Sequence, residues 1–287
     1  MHVALATTTD LEIMDQDDDV LGAALERAGA SYAMAVWDDP WVDWSTFDVV
    51  VIRSTWDYTS RRDEFVAWAA AVEEAGALLC NSAEVVRWNT HKGYLIELEE
   101  RGAPIVPTAW LGKGDEADLA ELAASRRWAE VVAKPVVAAG SEGLLVATGD
   151  LADHQTAFDA LLAEHDVMVQ PLLKKIRTDG ELSLICIDGE FSHAIRKVPA
   201  SGDIRSQVEF GGHYSAVDPE DDLIALAEWL VEATGHDLLY ARVDLMPEDD
   251  GAWVLGELEA TEPALYLDHA EGAADRMAAA ILARASR

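Results

Sequence analysis

The stretch LYARVDLMPEDDGAWVLGELEA, residues 239–260, decides the fold of this chain. It reads as two strands joined at Asp250-Gly251, a dipeptide typical of two-residue hairpin turns. With these two residues in the turn, Asp249 pairs with Ala252, and each step back on one strand matches one step forward on the other. The pattern therefore predicts an antiparallel pair with a defined register.

This register brings charged side chains together on one face of the hairpin. Asp244 falls opposite Glu257 and Arg242 falls opposite Glu259, and alternation along a strand points all four to the same side. A register shifted by one would move charges onto the face that packs, so the predicted pairing is favoured. That apolar face carries Val243, Leu245, Val254, Gly256 and Leu258.

Three carboxylates beside one arginine need an explanation, because like charges opposed across a strand pair are destabilising. A hard divalent cation removes the repulsion, since Mg²⁺ takes carboxylate oxygens together with substrate phosphates. The alternative is a solvated sheet face on which Arg242 neutralises part of the charge. The spacing alone leaves both interpretations open.

The composition limits the classes of partner. The chain has 287 residues with 54 Asp and Glu against 21 Lys and Arg, a net charge of −33. Such a charge argues against binding nucleic acid or an anionic membrane over a broad surface. No apolar run approaches the roughly 20 residues of a spanning helix, and the N-terminus lacks a basic leader, so we expect a cytoplasmic protein.

The two cysteines, Cys80 and Cys186, lie far apart in the sequence and outside any metal-ligand spacing. Structural zinc is therefore not expected. One disulfide remains an alternative, but two reduced core cysteines are the favoured interpretation.

The order of the apolar segments predicts three lobes, at residues 1–85, 86–170 and 171–287. The first alternates strands with helices, which is typical of a parallel sheet covered on both faces. Residues 82–102 read as one helix with a Ser cap and a Gly stop, and IVPTAWL, residues 105–111, reads as a strand.

A second hairpin is predicted at residues 181–198, again around an Asp-Gly turn. Placing Asp188 and Gly189 in the turn and counting back puts Glu181 opposite Arg196.

The loop RSTWDY, residues 53–58, follows the third strand of the first lobe, at the edge where open α/β sheets place ligands. Arg53, Ser54, Thr55 and Asp57 are therefore candidate substrate-binding residues. A surface Arg–Asp pair is an equally favoured alternative.

A single lysine, Lys134, interrupts the apolar strand EVVAKP and precedes the small-residue loop VVAAGSEG, residues 136–143. Its charge can reach over a loop whose backbone N–H groups contact phosphate. The loop is neither a Walker A motif nor GxGxxG. An edge-strand lysine that points to water is the alternative.

Taken in order, these pieces resemble the ATP-grasp superfamily of carboxylate–amine ligases over nearly the whole chain. The resemblance implies an α/β and α+β protein, in which a small N-terminal parallel α/β lobe precedes two α+β lobes that sandwich ATP. It also assigns roles to residues in NTHK, VVAKP, AAGSEG, VQPLL, GELSL, GDIRSQ and ARVD. The implied ATP contacts are Lys92, Lys134, Gly140, Ser141, Gly143, Gln170, Leu172 and Glu181.

The same resemblance implies two catalytic arginines, Arg205 and Arg242, that steady the transferred phosphate. It implies Asp244, Glu257 and Glu259 as ligands of one or two Mg²⁺ ions. The last of these three positions is more often Asn in the family, so Glu259 adds a negative charge.

Within the superfamily, VVIRSTWDY, RWNTHK and GELEATEPALYL are similar to the subgroup of O-ureido-serine cyclo-ligases of cycloserine biosynthesis. The implied activity is ATP- and Mg²⁺-dependent activation of a small amino-acid-like carboxylate as an acyl phosphate. Amide formation then follows, within one molecule or with a second amino acid or peptide as in glutathione synthetases and D-Ala–D-Ala ligases. Homodimer formation is left open.

Two other classes of protein remain as alternatives. One is a regulatory protein that binds ATP without ligating anything. The other is an amino-acid-binding module without a nucleotide site.

Overall fold

The computed structural model describes residues 1–9, 17–200, 203–205 and 210–286. The described chain contains three β-sheets, and one falls within or nearly within each predicted lobe. The first sheet is parallel and the other two are antiparallel. The mixed α/β and α+β fold class predicted from the sequence is confirmed.

The N-terminal sheet has the strand order β2-β1-β3-β4. Its two inner strands are built from small and β-branched residues that are buried on both faces, as parallel sheets require. Two helices pack beside it. The elements are β1 (His2–Thr7), α1 (Asp17–Arg27), β2 (Ser31–Val36), β3 (Val49–Ile52), α2 (Arg62–Glu74) and β4 (Leu78–Cys80).

The predicted single helix at residues 82–102 is wrong. Two helices occupy the segment, α3 (Ala83–Asn89) and α4 (Tyr94–Glu100). Ser82 caps the first, as expected, by accepting a hydrogen bond from the Val85 amide. The second begins after a break that carries Lys92, whose amide donates to the Val136 carbonyl at 2.9 Å instead of continuing the helix.

The central sheet has the order β5-β8-β6-β7. Lys134 lies on an inner strand of this sheet, so the edge-strand alternative is wrong. The predicted strand at 105–111 is shorter than expected, because Ile105 leaves it to bridge Leu255 of the next sheet. The elements are β5 (Ala109–Leu111), α5 (Leu119–Arg126), β6 (Val131–Pro135), β7 (Leu145–Ala147), α6 (Gln155–Glu164) and β8 (Val167–Pro171).

The C-terminal sheet has the order β11-β10-β9-β12-β13. Strand β11 and the short helix α7 were not predicted. The elements are α7 (Ile176–Asp179), β9 (Glu181–Ile187), β10 (Glu190–Val198), β11 (His213–Val217), α8 (Asp221–Ala233), β12 (Tyr240–Pro247), β13 (Trp253–Glu259) and α9 (Ala273–Arg284).

Two packing contacts tie the lobes together. The last helix, α9, packs against α1, and Met277 and Ile281 share one core with Leu21 and Leu25. Helix α4 lies in the predicted central lobe, but its apolar side chains join the core of the C-terminal sheet, and α3 is shared between that core, through Val85, and the N-terminal core, through Ala83 and Val86. The predicted boundary at residue 85 therefore stays a prediction.

The β12–β13 hairpin has the predicted pairs at its far end, Arg242 with Glu259 and Asp244 with Glu257. Nearer the turn the register differs by one, since Pro247 pairs with Trp253. A bulge at Gly256 absorbs the difference. A Cβ at Gly256 would lie 2.6 Å from Cγ of Met246, so no larger residue fits there without displacing Met246.

The second hairpin also carries a bulge, and here it changes a prediction. The turn pair Ile187–Glu190 is confirmed, but the register shifts between Phe191 and His193. Glu181 therefore lies opposite Lys197, not Arg196.

Both cysteines are buried and free, as favoured from the sequence. No helix in the described part of the chain is long and apolar enough to cross a membrane.

Candidate active site

A cleft of about 560 Å³ lies where the three lobes meet. Among the described residues, five of the chain's 21 Lys and Arg side chains line it, against only six of the 54 acidic ones. A surface of strongly negative charge thus encloses a cleft of nearly balanced charge, which suits an anionic ligand that brings its own cation. The basic residues are Lys92, Lys134, Lys197, Arg205 and Arg242.

Lys92 connects two parts of the cleft. Its Nζ donates to the Ala138 carbonyl at 2.7 Å and lies 2.8 Å from Oε1 of Glu257. Burial alone would lower the pKa of this amine, but Glu257 more than offsets it and raises the pKa. The break between α3 and α4 therefore places a charged lysine between the glycine-rich loop and strand β13.

Lys134 lies on the cleft wall without an ion pair among the described residues. Burial lowers its pKa, and the nearby Glu257 opposes that shift. A desolvated ammonium of this kind gains more than an exposed one from an anionic ligand.

The glycine-rich loop, residues 138–144, forms one rim of the cleft. Gly140 and Ser141 both have left-handed backbone, with φ of 60° and 68°, and both line the cleft. Gly143 does not line it. A Cβ there would lie 2.8 Å from Cγ of Pro135, so this glycine allows the loop to pack on the end of β6.

Two of the implied ATP contacts lie at the end of β8 or just after it. Gln170 and Leu172 both line the cleft, and the Gln170 side chain donates to Thr108 at 2.9 Å. The Leu172 amide donates to the Glu130 carbonyl at 2.9 Å. A ligand at Leu172 would therefore meet its carbonyl and side chain rather than its N–H group.

The charged face of the β12–β13 hairpin forms the floor. Arg242 lies 3.0 Å from Oδ2 of Asp244 and also pairs with Glu259. Burial disfavours a charge on Arg242, yet the two carboxylates raise its pKa. Burial would raise the pKa of Asp244, but the positive charges of Arg242 and Lys197 outweigh it and lower that pKa.

Lys197 is a site residue that the sequence did not reveal. It is buried between Glu181, with which it pairs, and Asp244, 3.5 Å away, and Ser183 donates a hydrogen bond to the same Asp244. Burial raises the pKa of Glu181, although Lys197 opposes the shift. Without the bulge in the second hairpin, Lys197 would point to the other face of the sheet. Only knowledge of that bulge could have placed it in the cleft from the sequence.

Side chains from helices α3 and α4 cover the outer edge of β13. Asn89 donates to the Leu258 carbonyl at 2.8 Å and accepts from the Ala260 amide at 2.7 Å. The Tyr94 hydroxyl accepts from the Leu258 amide at 2.9 Å. Since an unpaired edge would leave buried polar groups unsatisfied, these contacts fix the strand that carries Glu257 and Glu259.

The carboxylates fit a magnesium ion in donor chemistry. Glu257 and Glu259 have side chains 25% and 28% exposed to the cleft. Burial, helped by the neighbouring Glu257 and Asp244, outweighs Arg242 and raises the pKa of Glu259 to about 7, so the charge of this carboxylate is incompletely compensated. A divalent cation would stabilise the charged form.

The carboxylates do not enclose an ion by themselves. Among the described residues, no three acidic, histidine or cysteine side chains converge closely enough to hold a metal. Asp244 is engaged by Arg242, Lys197 and Ser183, so it is the least available of the predicted ligands. The remaining ligands would have to be phosphate oxygens and water, as is usual for Mg²⁺.

Arg205 lines the cleft from a short segment of the described chain. It pairs with Asp203 at 2.8 Å and lies over the ring of Phe210 at 3.7 Å.

The four predicted substrate-binding residues do not line the cleft in the described structure, and their contact with substrate stays a prediction. Arg53 and Ser54 are fully buried and bond to Asp18, at 3.2 and 2.6 Å. Asp57 accepts a hydrogen bond from Trp37. The surface Arg–Asp pair is wrong, because Arg53 is 1% exposed and its partner is another aspartate.

The neighbours of these residues do reach the cleft. Trp56 and Tyr58 of the same loop line it, as does the segment after β13. Arg53 supports that segment through the Pro263 carbonyl at 3.2 Å. The loop therefore borders the cleft, as expected for its position after a strand, but Trp56 and Tyr58 line the cleft instead of the four residues named from the sequence.

The small parallel lobe and the two α+β lobes around one charged cleft define an ATP-grasp ligase. The family model for the N-terminal domain of the D-cycloserine synthetase DcsG matches residues 3–81, and that for the ATP-grasp domain of prokaryotic glutathione synthetase matches residues 105–248. The chain is 32% identical to the cycloserine biosynthesis protein DcsG of Streptomyces lavendulae, over 98% of each chain.

Solved structures agree. The crystal structure of D-cycloserine synthetase DcsG matches with a TM-score of 0.90 and 31% identity, over 99% of this chain and 100% of that one. A D-alanine–D-alanine ligase from Bacillus anthracis shares the fold at a TM-score of 0.77 and 15% identity, over 100% and 98%. The chain belongs to the ATP-grasp ligases, in the family of the D-cycloserine synthetase DcsG, and is an ADP-forming carbon–nitrogen ligase.

Proposed function

We propose that this ligase uses ATP to activate the carboxylate of a small amino-acid-like molecule and then closes that molecule into a ring through an amide bond. The observation that carries the proposal is the cleft itself. Strand β13 presents Glu257 and Glu259 beside Arg242, while Lys92 and Lys134 approach from the other lobe. A cleft of this charge and volume suits a nucleotide with its phosphates and one small acid.

The nucleotide would lie between the central and C-terminal lobes. Gln170 and Leu172 would border the base, and Glu181 the ribose. Lys92, Lys134 and the loop with Gly140 and Ser141 would hold the phosphates. Gly143 would shape the loop from behind.

Glu257 and Glu259 would hold one magnesium ion with the phosphates, and Asp244 would support it through Arg242. The ion would neutralise phosphate charge when bound. A second ion would need ligands beyond these side chains.

In the first step, a carboxylate oxygen of the acid attacks the γ-phosphorus of ATP, the bond to the β-phosphate oxygen breaks, and ADP leaves. Two anions must approach one another, so the step needs positive charge held in place. Arg242, Lys197 and Lys134 supply it from the cleft walls. Arg205 supplies it once the ligand competes with Asp203.

In the second step, a nitrogen of the same molecule attacks the acyl carbon, the bond from that carbon to the phosphate oxygen breaks, and phosphate leaves with one oxygen of the original carboxylate and takes up the proton that the nitrogen loses. The glycine-rich loop and the Trp56–Tyr58 loop would exclude water that could hydrolyse the acyl phosphate. The similarity to D-cycloserine synthetase supports ring closure over joining two molecules.

The test is oxygen transfer. O-ureido-serine labelled with ¹⁸O in its carboxylate, incubated with MgATP and the protein, is expected to yield one labelled oxygen in the released phosphate for each ADP formed. Unlabelled phosphate, whose fourth oxygen then comes from water rather than from the carboxylate, would rule out the acyl phosphate. ATP binding without ADP release would instead support a regulatory ATP-binding protein.

A further inference from the structure

Two carboxylates that line the cleft have no part in the scheme above, and of these Glu142 is exposed whereas Glu262 is buried. Glu262 follows β13 by three residues, lines the cleft and is 8% exposed. It makes no ion pair among the described residues, and Lys92, the basic group that most influences it, is paired with Glu257. A buried carboxylate without a counter-charge is costly unless a ligand supplies one.

Side chains of the N-terminal lobe hold the segment that carries Glu262. The Trp56 indole donates to its backbone carbonyl at 2.8 Å, and Arg53 holds the next residue, Pro263, through its carbonyl at 3.2 Å. The Tyr58 hydroxyl lies close enough to the Glu262 carboxyl to lower its pKa. Two side chains of the N-terminal lobe therefore hold the backbone around one acidic group of the C-terminal lobe, and a third faces its carboxyl.

Burial, with Glu259 nearby, raises the pKa of Glu262 to about 8. This shift agrees with the geometry, because it shows how poorly the protein alone compensates the charge.

The carboxyl donor in the proposed reaction carries an amino group that does not react. In ring closure through the side chain the α-amino group remains free in the product, and in a peptide-forming reaction the donor's amine is equally a spectator. Burying that ammonium requires an acceptor of opposite charge. The cleft offers cations for the reacting carboxylate and, beside the N-terminal lobe, one buried carboxylate that makes no ion pair among the described residues.

We propose that Glu262, beside Tyr58, binds the ammonium group of the amino-acid substrate and so selects α-amino acids over other carboxylic acids. This inference rests on the proposed function, since it concerns the same cleft.

The experiment compares two probes that differ only in the amino group, O-ureido-serine and 3-(ureidooxy)propanoate. Calorimetry measures their dissociation constants with the full chain in the presence of Mg²⁺ and the non-hydrolysable analogue AMPPNP. Glu262→Gln is expected to weaken binding of O-ureido-serine on the order of 10- to 100-fold, as for a lost hydrogen bond between charged groups, while the affinity for the analogue changes little.

Tyr58→Phe provides a second variant in case Glu262→Gln folds poorly. It removes only the hydroxyl and retains the stacking of Tyr58 on Phe65. We expect a smaller loss in the same direction, again confined to the probe with the amine. Glu64→Gln, an exposed carboxylate paired with Arg61, removes the same charge away from the cleft and should alter neither constant.

Equal weakening of both probes by Glu262→Gln, no weakening of either, or failure of both probes to bind the wild-type protein would overturn the inference. The proposed function is judged separately, by whether the wild-type protein releases ADP. Release of ADP together with equal weakening would leave the ligase intact and remove only the role of Glu262.

Discussion

Asn89→Ala tests whether helix α3 fixes the position of strand β13, which carries Glu257 and Glu259. Asn89 is 9% exposed and bonds to β13 in both directions, to the Leu258 carbonyl at 2.8 Å and from the Ala260 amide at 2.7 Å. Alanine leaves both backbone groups without a partner, at about 1–3 kcal/mol each. Allowing for partial rehydration, we expect a loss of about 3 kcal/mol in the free energy of unfolding, or roughly 6 °C in Tm.

The loss of stability should be accompanied by a loss of activity, because β13 would move Glu257 and Glu259. Gln155→Ala is the matched control. Its amide also bonds in both directions, to the Ala117 carbonyl and from the Leu119 amide, both at 2.8 Å, but away from the cleft.

Differential scanning fluorimetry gives the two Tm values, and Mg²⁺-dependent ADP release gives the activity at a temperature where both variants are folded. Asn89→Ala should lose on the order of tenfold or more in kcat/KM, which corresponds to displaced catalytic groups, while Gln155→Ala keeps it. Equal activity in the two variants would refute the positioning argument, and an unchanged Tm for Asn89→Ala would refute the hydrogen-bond argument.

Three further substitutions probe the rest of the site. Lys197→Met leaves Glu181 and Asp244 buried without their shared cation, so chemical denaturation should show a loss of about 3–5 kcal/mol; an unaltered midpoint would contradict the buried pairs. Arg53→Lys keeps the charge but cannot reach both of its partners, and should raise the KM of the amino-acid substrate more than that of ATP, since it supports the segment after β13; equal effects on both would contradict that role. Glu259→Asn keeps an oxygen ligand and should hold Mg²⁺-dependent turnover within about tenfold of wild type, so complete loss in a steady-state assay would show that its charge is required.

The sequence predicted the fold well where a pattern is local. The Asp-Gly turns marked both hairpins, and the alternation of strands with helices in the first lobe marked the parallel sheet. The pairs of Arg242 with Glu259 and Asp244 with Glu257 were also correct, although a different loop and a bulge at Gly256 offset one another near the turn. A bulge depends on packing across the sheet, so the sequence of the strand alone does not predict its position.

The same limit explains the residues that were missed or that the structure places differently. The bulge between Phe191 and His193 turned Lys197 toward the cleft. Arg53 was expected in the cleft, but its guanidinium meets Asp18, a partner 35 positions away that only the tertiary fold brings near. Glu262 lies within GELEATEPALYL, but nothing along that segment distinguishes it, because the side chains that face it belong to another lobe.

The direct test of the account is ADP release from the full chain with MgATP and O-ureido-serine, measured for the wild-type protein and for Glu257→Gln. Glu257 lies 2.8 Å from Lys92 and borders the proposed phosphate site. We predict substrate-stimulated, Mg²⁺-dependent ADP release by the wild type and a loss on the order of 100-fold or more in the variant, the scale for removing one preorganised charged group. Wild-type turnover in Glu257→Gln would contradict the claim that the charged face of the β12–β13 hairpin is the catalytic centre.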